Sequence, residues 1–169
     1  MNKTLWNTVT IGGDVPDDVL KRMIERSYEM TKICRRSTVS FEYALSNLQE
    51  TFYNITSQVR EAVAKSGVTD GIAVVYCPHT TAGITINENA DPDVVHDLLI
   101  GLRKAFPDRA EFLHGEGNSA AHLKASVMGS STTVFIENGK LLLGTWQGIY
   151  FCEFDPPRNR KFYVKVLEG

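Results

Sequence analysis

Cysteines, long apolar runs and an excess of charge of one sign are all scarce in this sequence. Its 169 residues include only three cysteines, Cys34, Cys77 and Cys152, which are odd in number and lack CxxC spacing. This usage argues against a disulfide framework and for a reducing compartment, so we expect a cytoplasmic location. No apolar run reaches membrane-spanning length, and the N-terminus lacks the apolar segment of a signal peptide, so we expect no membrane association.

The balance of charges limits the partners that the chain can attract. The formal net charge is −2 at pH 7, which provides no long-range field for gathering nucleic acid. We therefore expect no nucleic-acid partner, and any recognition of phosphate must be local. Hydrophobic residues make up 43% of the chain and charged residues 22%, as is typical of a globular domain with a real core.

The first 37 residues differ in pattern from the rest of the chain. The segment LWNTVTIGGD predicts a short strand and a turn, and VPDDVLKRMIERSYEMTKICRR predicts an amphipathic helix. Pro16 suits the first turn of that helix, and the acidic residues at its start and basic residues at its end complement the helix dipole. We therefore assign residues 1–37 to an N-terminal strand–helix extension and residues 38–169 to the main domain.

The main domain alternates between strand and helix patterns. Alternating or β-branched segments predict strands in TVSFEYAL (which NLQETFY continues), GIAVVYC, GITINEN, TTVFIENGKLLLGT, GIYFCEF and KFYVKVL. Within the fourth, Asn138-Gly139 predicts a hairpin. Helices are predicted in ITSQVREAVAKSG, capped by Thr56 or Ser57, in DPDVVHDLLIGLRKAF, capped by Asp91, and in NSAAHLKASVMG. The fold class is therefore α+β, with about three helices interspersed along a mostly antiparallel sheet.

The segment HGEGNSAAHLKAS (residues 114–126) is the first candidate site. Its glycines let a ligand approach the backbone, and Asn118 or Ser119 can cap a helix whose free N–H groups attract an anion. The Gly-rich turn can bring His114 back beside His122, while Glu116 could serve as a ligand, an acceptor or a general base. On spacing alone, a capped helix with two exposed histidines explains the segment better, since this spacing is no standard metal signature.

Two further segments carry polar side chains next to predicted strands. In CPHTTAGITINEN, His79, Thr80 and Thr81 follow a buried strand, at the kind of edge where functional residues sit. The alternative, a polar connection between strands, is favoured when the segment is taken alone.

In GTWQGIYFCEFDPPRNR, Gly144 and Gly148 lie on either side of Trp146 and Gln147. A tryptophan inside a strand is usually a core or interface residue, but the bare backbone of these glycines would also suit a planar ligand or a partner chain. Arg158, with Arg160 and Lys161, could clamp a phosphate or form an ordinary basic turn.

Three of these segments together resemble a known family. HTTAGITINENADPDV, HGEGNSAAHLKAS and LGTWQGIYFCEFDPPR resemble, in order and spacing, the YjbQ-like family of secondary thiamine-phosphate synthases, from about Thr38 to the C-terminus. The resemblance implies a YjbQ-like α+β fold, a homotrimer, and a site at the subunit boundary. It also implies a weak transferase activity that joins the pyrimidine and thiazole halves of thiamine phosphate.

The resemblance also implies particular site residues. The motif residues of the family match His79, His114, Asn118, His122, Trp146, Gln147, Glu153 and Arg158. Two positions depart from the family pattern, since Glu116 stands where the family has Asp and Ala120 where many members have a further histidine. The longer Glu116 side chain alters the fine geometry of any metal or base at this site. A site that relies on the further histidine would be missing here.

A second, partial resemblance concerns the N-terminal extension. The segment WNTVTIGGDVPDDVLKRMIERSYEMT resembles the C-terminal tail of MmcQ/YjbR-like proteins, which have a DNA-binding-like fold. Because only the tail is present, the extension is interpreted as a remnant without the activity of that domain.

The YjbQ-like resemblance favours an enzyme that binds a small phosphorylated metabolite. His79, His114 and His122 would then hold a divalent metal, possibly zinc. We expect His114, Glu116, Asn118 and His122 to be catalytic. The expected substrate-binding and phosphate-binding residues are Thr80, Thr81, Asn118, Trp146, Gln147 and Arg158. Two alternatives remain open at this point: a trimeric metal- or anion-binding protein without physiological catalysis, and a trimer in which the histidines serve assembly.

Overall fold

A computed structural model describes residues 15–32 and 38–169, and the chain divides into two units, residues 1–36 and 37–169. In the described part of the first unit, helix α1 (Asp17–Lys32) follows Pro16, as predicted, with Asp17 and Asp18 in its first turn. The strand predicted in LWNTVTIGGD lies outside the described residues. No helix in the described ranges is long and apolar enough to cross a membrane.

The second unit contains eight strands and three helices in its described residues. They are β1 (Thr38–Leu48), β2 (Thr51–Asn54), α2 (Thr56–Ser66), β3 (Gly71–Tyr76), β4 (Ala82–Glu88), α3 (Pro92–Ala105), α4 (Ser119–Met128), β5 (Ser131–Glu137), β6 (Lys140–Leu141), β7 (Gln147–Glu153) and β8 (Arg158–Glu168).

The strands form two antiparallel sheets rather than one. The five-stranded sheet has the order β1-β8-β3-β5-β6, and the three-stranded sheet has the order β2-β7-β4. The predicted continuation of the first strand through NLQETFY is therefore wrong. The chain turns at Gln49, where the Tyr53 hydroxyl contacts both the N–H and the carbonyl of that residue, and β2 crosses to the other sheet.

The three-stranded sheet is covered on both faces, and this explains the continuous apolar run in β7. Ile149 and Phe151 face the core between the two sheets, where α2 contributes Val59 and Val63. The alternate residues of β7 face a second cluster, to which α3 and α4 contribute their apolar sides; it comprises Phe52, Leu102, Ala121, Ala125, Tyr150, Cys152 and Phe154. A strand buried on both faces cannot alternate between apolar and polar residues.

Local sequence signals account for most of the element boundaries. The Asp91 carboxylate caps α3 by accepting from the N–H of Asp93 at 2.9 Å, and Asn138 and Gly139 form the β5–β6 turn with φ of 51° and 72°.

The predicted cap of α2 by Thr56 or Ser57 is wrong, because Ile55 occupies the N-cap position. The Thr56 hydroxyl instead accepts from the N–H of Ile149 at 2.8 Å, and so ties α2 to β7.

Candidate functional site

A buried ion pair joins the end of β7 to the start of β8. The Glu153 side chain is fully buried and that of Arg160 is 9% exposed. Nε and Nη2 of Arg160 donate to the two carboxylate oxygens of Glu153 at 2.6 and 2.8 Å, and Nη2 also donates to the Thr81 hydroxyl at 2.7 Å. This pair fixes the point at which the chain leaves β7 and returns in β8.

Asp155 connects this buried pair to the surface. Its N–H donates to Glu153 Oε1 at 2.7 Å, and its Oδ2 accepts from Asn118 Nδ2 at 3.0 Å and from Arg158 Nη2 at 2.8 Å. Burial opposes ionisation of Asp155, but the hydrogen bonds from Arg158 and Asn118 outweigh it, so the pKa of Asp155 lies below its ordinary value. The carboxylate therefore remains charged at neutral pH and holds Asn118 and Arg158 in place.

Asn118 stands at the N-cap position of α4 without capping it. Its side chain makes no bond to the first turn, so the predicted cap geometry is absent. Its Nδ2 donates to Asp155 and, at 3.4 Å, to Glu116 Oε2, while its Oδ1 is buried and meets no hydrogen-bond donor among the described residues. An unpaired buried acceptor costs about 1–3 kcal/mol, and the bonds from Asn118 Nδ2 to Asp155 and Glu116 hold the amide in this orientation.

The structure brings His114 and His122 together, edge to face. Their ring centroids lie 5.2 Å apart with an interplanar angle of 81°. The turn between them closes through a bond from the N–H of Gly117 to the carbonyl of His114 at 3.0 Å, and Gly117 has a φ of 71°, which a glycine adopts without strain. His114 and Glu116 are exposed and His122 is half-buried, so the pair opens to solvent.

His79 is engaged elsewhere. Its Nε2 accepts from the N–H of Lys161 at 3.0 Å, on β8. Burial lowers the pKa of His79, and the positive charge of Arg160 adds to this, so the ring stays neutral and keeps accepting. Across the part of the chain that is described, no three His, Cys, Asp or Glu side chains are grouped so as to hold a metal ion.

Trp146 and Gln147 lie at the opposite end of β7 from Glu153. Gln147 and Glu153 are six residues apart along the strand, which corresponds to roughly 20 Å. Trp146 is 64% exposed, and Gln147 Oε1 accepts from the N–H of Gly144 at 2.8 Å. Within one chain, these two residues therefore do not share a site with Asn118 and Arg158.

The remaining predicted residues differ in how available they are to a ligand. Thr80 is exposed, whereas Thr81 is buried and already accepts from Arg160. From the sequence, Arg160 is expected either to help clamp a phosphate or to belong to an ordinary basic turn. In the structure it does neither, because its guanidinium neutralises the buried Glu153 carboxylate. Arg158 is half-exposed and bonds Asp155 through Nε and Nη2.

Sequence reasoning missed Asp155 and the pairing of Arg160 with Glu153. The only local signal for Asp155 is its place directly before Pro156-Pro157, which marks a turn but not a hydrogen-bonding partner. Ala120 is buried, so the histidine that many family members carry at this position would have to fit into a packed site here.

Comparisons with known proteins agree in one family. A family model described as UPF0047 protein YjbQ-like matches residues 42–169. The UPF0047 protein MJ1081 of Methanocaldococcus jannaschii is 55% identical over 128 residues, which are 75% of this chain and 93% of that protein. The UPF0047 protein YugU of Bacillus subtilis is 56% identical over 115 residues, which are 68% of this chain and 87% of that protein.

Solved structures confirm the predicted α+β fold. A YjbQ/UPF0047 protein from Clostridium acetobutylicum, 62% identical, matches with a TM-score of 0.73 over 75% of this chain and 98% of that chain. A YbjQ-like protein of unknown function from Sulfolobus solfataricus, 29% identical, matches with a TM-score of 0.76 over 80% of this chain and 100% of that chain.

Removing one partner of the buried ion pair should destabilise the protein strongly. In Arg160→Met, the Glu153 carboxylate stays buried without its counter-charge, and we expect the free energy of unfolding to fall by about 3–5 kcal/mol. Urea denaturation of the full chain measures this. Adding Glu153→Gln to the same variant should restore part of the loss, because the buried charge is then gone.

The matched control is Lys65→Met, which breaks the exposed pair between Lys65 and Glu61 on α2. We expect no measurable change there, since exposed pairs contribute little. If the free energy of unfolding fell no more in Arg160→Met than in Lys65→Met, that result would contradict a structural role for the buried pair.

Proposed function

Since the chain belongs to the YjbQ-like UPF0047 family, we propose that it is a transferase of the thiamine-phosphate synthase type. It joins a pyrimidine pyrophosphate to a thiazole phosphate. In this reaction the bond between the pyrimidinylmethyl carbon and the pyrophosphate oxygen breaks, and the oxygen leaves with the electron pair. The thiazole nitrogen forms the new bond to that carbon, which gives thiamine phosphate and pyrophosphate.

Buried free thiols at Cys77 and Cys152 support a location in the reducing cytoplasm.

The observation that carries the proposal is the pairing of His114 with His122 beside the Asn118–Asp155–Arg158 cluster. The departing pyrophosphate gains negative charge as the bond breaks, and a site accelerates that step by stabilising the charge. Arg158 can contribute through Nη1, because its Nε and Nη2 are bonded to Asp155. The first N–H groups of α4 add donors of the kind that bind phosphate.

Asn118 and Glu116 complete the polar groups around the histidines. The bond between their side chains places the Glu116 carboxylate beside the head of α4, where it can accept a proton from a histidine ring or from a bound water. The Oδ1 of Asn118 is unpaired but buried, so a substrate N–H or O–H reaches it only after a local shift at the start of α4. These roles require no movement of β7 or β8, since Asp155 already holds Asn118.

A divalent metal fits this site only in part. His114 and His122 offer two of the imidazole ligands that zinc prefers, and a bound metal would stabilise negative charge on phosphate. His79 joins them only if its bond from the Lys161 N–H is broken. We therefore propose that His114 and His122 bind the metal and that a neighbouring copy of the chain or solvent supplies the other ligands, while His79 positions β8.

A homotrimer would complete the site. Trp146 and Gln147 lie roughly 20 Å along β7 from the other proposed residues, so one chain cannot use both groups on one small substrate. Large apolar side chains are exposed near the histidines, as expected of a surface that another copy covers: Leu113 is 97% exposed, Leu123 40% and Val127 58%. We propose that the Trp146 end of one copy meets the histidine end of the next.

The activity can be tested with the two proposed substrates. Wild-type protein should form thiamine phosphate from the pyrimidine pyrophosphate and the thiazole phosphate, and His122→Ala should lower the rate about 100-fold or more. His96→Ala is the matched control, because His96 is an exposed histidine on α3, and its rate should equal that of wild type. Absence of product with the wild-type protein would overturn the enzymatic proposal and favour a binding protein without catalysis.

Metal binding can be tested separately by elemental analysis of protein purified without a histidine tag. We expect wild type and His96→Ala to retain a divalent metal, and His114→Ala to lose most of it, since one of two proposed imidazole ligands is removed. Equal and negligible metal contents in wild type and His114→Ala would contradict the metal proposal without touching the test of activity.

A shared site predicts rescue between two inactive variants. His122→Ala and Trp146→Ala should each be inactive, and co-expressing equal amounts of the two chains should restore about one quarter of the wild-type rate, because random mixing pairs intact halves in that proportion. Sedimentation should give about 56 kDa for three chains of 18.8 kDa. A mixture no more active than either variant would place the whole site within one chain.

A further inference from the structure

A cavity that none of the proposed catalytic residues lines opens where β4 ends and α3 begins. Its volume is about 330 Å³, and its lining residues are Asn89, Ala90, Asp91, Pro92, Val95 and Tyr150. This volume is at the lower end of the range for small-molecule sites, and the lining combines apolar walls with a few polar groups, as such sites do. From the sequence, Asp91 is predicted only as a helix cap, and Asn89 has no predicted function of its own.

The side chain of Asn89 is held in one orientation by its neighbours. Its Oδ1 accepts from Asn54 Nδ2 and lies 3.0 Å from the Tyr150 hydroxyl, whose single proton is shared between this oxygen and the Glu88 carbonyl at 2.9 Å. The backbone N–H of Asn89 donates to the Trp146 carbonyl at 2.7 Å. Burial raises the pKa of Tyr150, and the charge of Glu88 adds to this, so the hydroxyl stays protonated and continues to donate. The oxygen of the amide is thus fully used.

The nitrogen of the same amide is free. Asn89 Nδ2 has no acceptor among the described residues, so its two N–H donors are available at the cavity. Gly148 permits this arrangement, because a Cβ there would lie 2.9 Å from the Asn89 Cβ. The position of Asn89 is therefore fixed by residues of β2 and β7 and by Trp146, directly before β7.

Asp91 presents a complementary group at the same cavity. Its Oδ1 accepts from the N–H of Asp93 as the cap of α3, and its Oδ2 meets no donor within residues 15–32 and 38–169. Among the described residues no lysine or arginine lines the cavity, and the start of α3 is already capped by the Asp91 carboxylate, whose negative charge opposes an anion there. The cavity therefore disfavours phosphate and favours an uncharged ligand that has an acceptor beside a donor.

We propose that this cavity binds an uncharged aminopyrimidine ring, whose ring nitrogen accepts from Asn89 Nδ2 and whose amino group donates to Asp91 Oδ2. The preference for an amine-bearing ring rests on Asn89 and Asp91, whereas the choice of the thiamine pyrimidine as the ligand rests on the proposed function. Pro92 and Val95 offer apolar contacts to one side of the ring, while the cavity stays open to solvent on the other.

The location of the cavity fits a site shared between copies. Asn89 is bonded to Trp146 at the start of β7, whereas Arg158 and Asn118 lie beyond the other end of that strand. The aminopyrimidine ring would thus bind to one copy while the pyrophosphate group reaches the histidine end of the next.

Binding of two free rings to the full-length protein tests the proposal, by isothermal titration calorimetry. The probes are the aminopyrimidine alcohol of thiamine and its oxo counterpart, in which a carbonyl replaces the amino group and the ring nitrogen carries a proton. Wild type should bind the amino ring at least about tenfold more tightly, because the oxo ring opposes a donor to Asn89 and an acceptor to Asp91.

Asp91→Asn makes the test specific. Asparagine caps helices as well as aspartate does, so α3 should remain intact, but an N–H₂ group replaces Oδ2. In this variant we expect the ratio of the Kd of the oxo ring to the Kd of the amino ring to fall about tenfold. Asp97→Asn, the same substitution on the exposed side of α3, is the control and should keep the wild-type preference. Circular dichroism checks that both variants are folded.

The outcomes separate this inference from the proposed function. Failure of the wild type to bind the amino ring, no preference for it, or an equal preference in Asp91→Asn and wild type would each overturn the aminopyrimidine site. An unchanged rate of thiamine phosphate formation in Asp91→Asn would also overturn it, while leaving the proposed activity standing. Binding with a narrowed preference, in a protein that forms no thiamine phosphate, would support the site and overturn only the activity.

Discussion

The buried pair between Glu153 and Arg160 is the constraint on which the candidate site depends. A carboxylate with no exposed surface is tolerated only when its charge is compensated and its oxygens are hydrogen-bonded, and Arg160 and the N–H of Asp155 meet both conditions. The pair fixes where β7 ends and where β8 begins, although the two strands belong to different sheets. It thereby sets the position of Asp155, which in turn holds Asn118 and Arg158.

Both faces of the three-stranded sheet are covered by other elements, and this explains why the candidate site lies at the surface. One face of β7 packs into the core between the sheets and the other packs against α3 and α4, so the strand itself has no exposed face to carry chemistry. Function is therefore left to its two ends. At the Glu153 end the chain emerges beside the start of α4, and at the Gln147 end it emerges beside the start of α3.

The elements of this fold could be predicted where local signals were sufficient. Asp91-Pro92 marked the start of α3, and Asn138-Gly139 marked the β5–β6 turn, because caps and tight turns depend on residues next to one another. The change of sheet at Gln49 could not be predicted, since both segments alternate and only tertiary packing decides which sheet each one joins. The sequence likewise favoured Thr56 or Ser57 as the cap of α2 without showing that β7 would bind the Thr56 hydroxyl.

The candidate site was predictable in its residue types more than in its connections. The turn that pairs His114 with His122 is local, and the glycines around it indicated that the two rings could meet. The engagement of His79 depends on Lys161, 82 residues away, and the seat of Asn89 depends on Tyr150, 61 residues away. Such pairings follow from the register of strands, which alternation alone does not specify.

The two ends of β7 carry different charged and polar side chains, so one end favours an anionic group and the other favours an uncharged ring. The Asp155 end combines a half-exposed arginine, two histidines and the head of a helix, all of which favour an anion. The Asn89 end has an amide and apolar side chains, and the Asp91 carboxylate already caps the start of α3 there. In the part of the chain that the structure describes, no lysine or arginine lines this cavity. A substrate that carries a neutral ring and a charged leaving group needs both environments, and a strand of this length keeps them apart within one chain. Association of copies is therefore a requirement of the proposed chemistry, because only a neighbouring chain can bring the two ends within reach of one substrate.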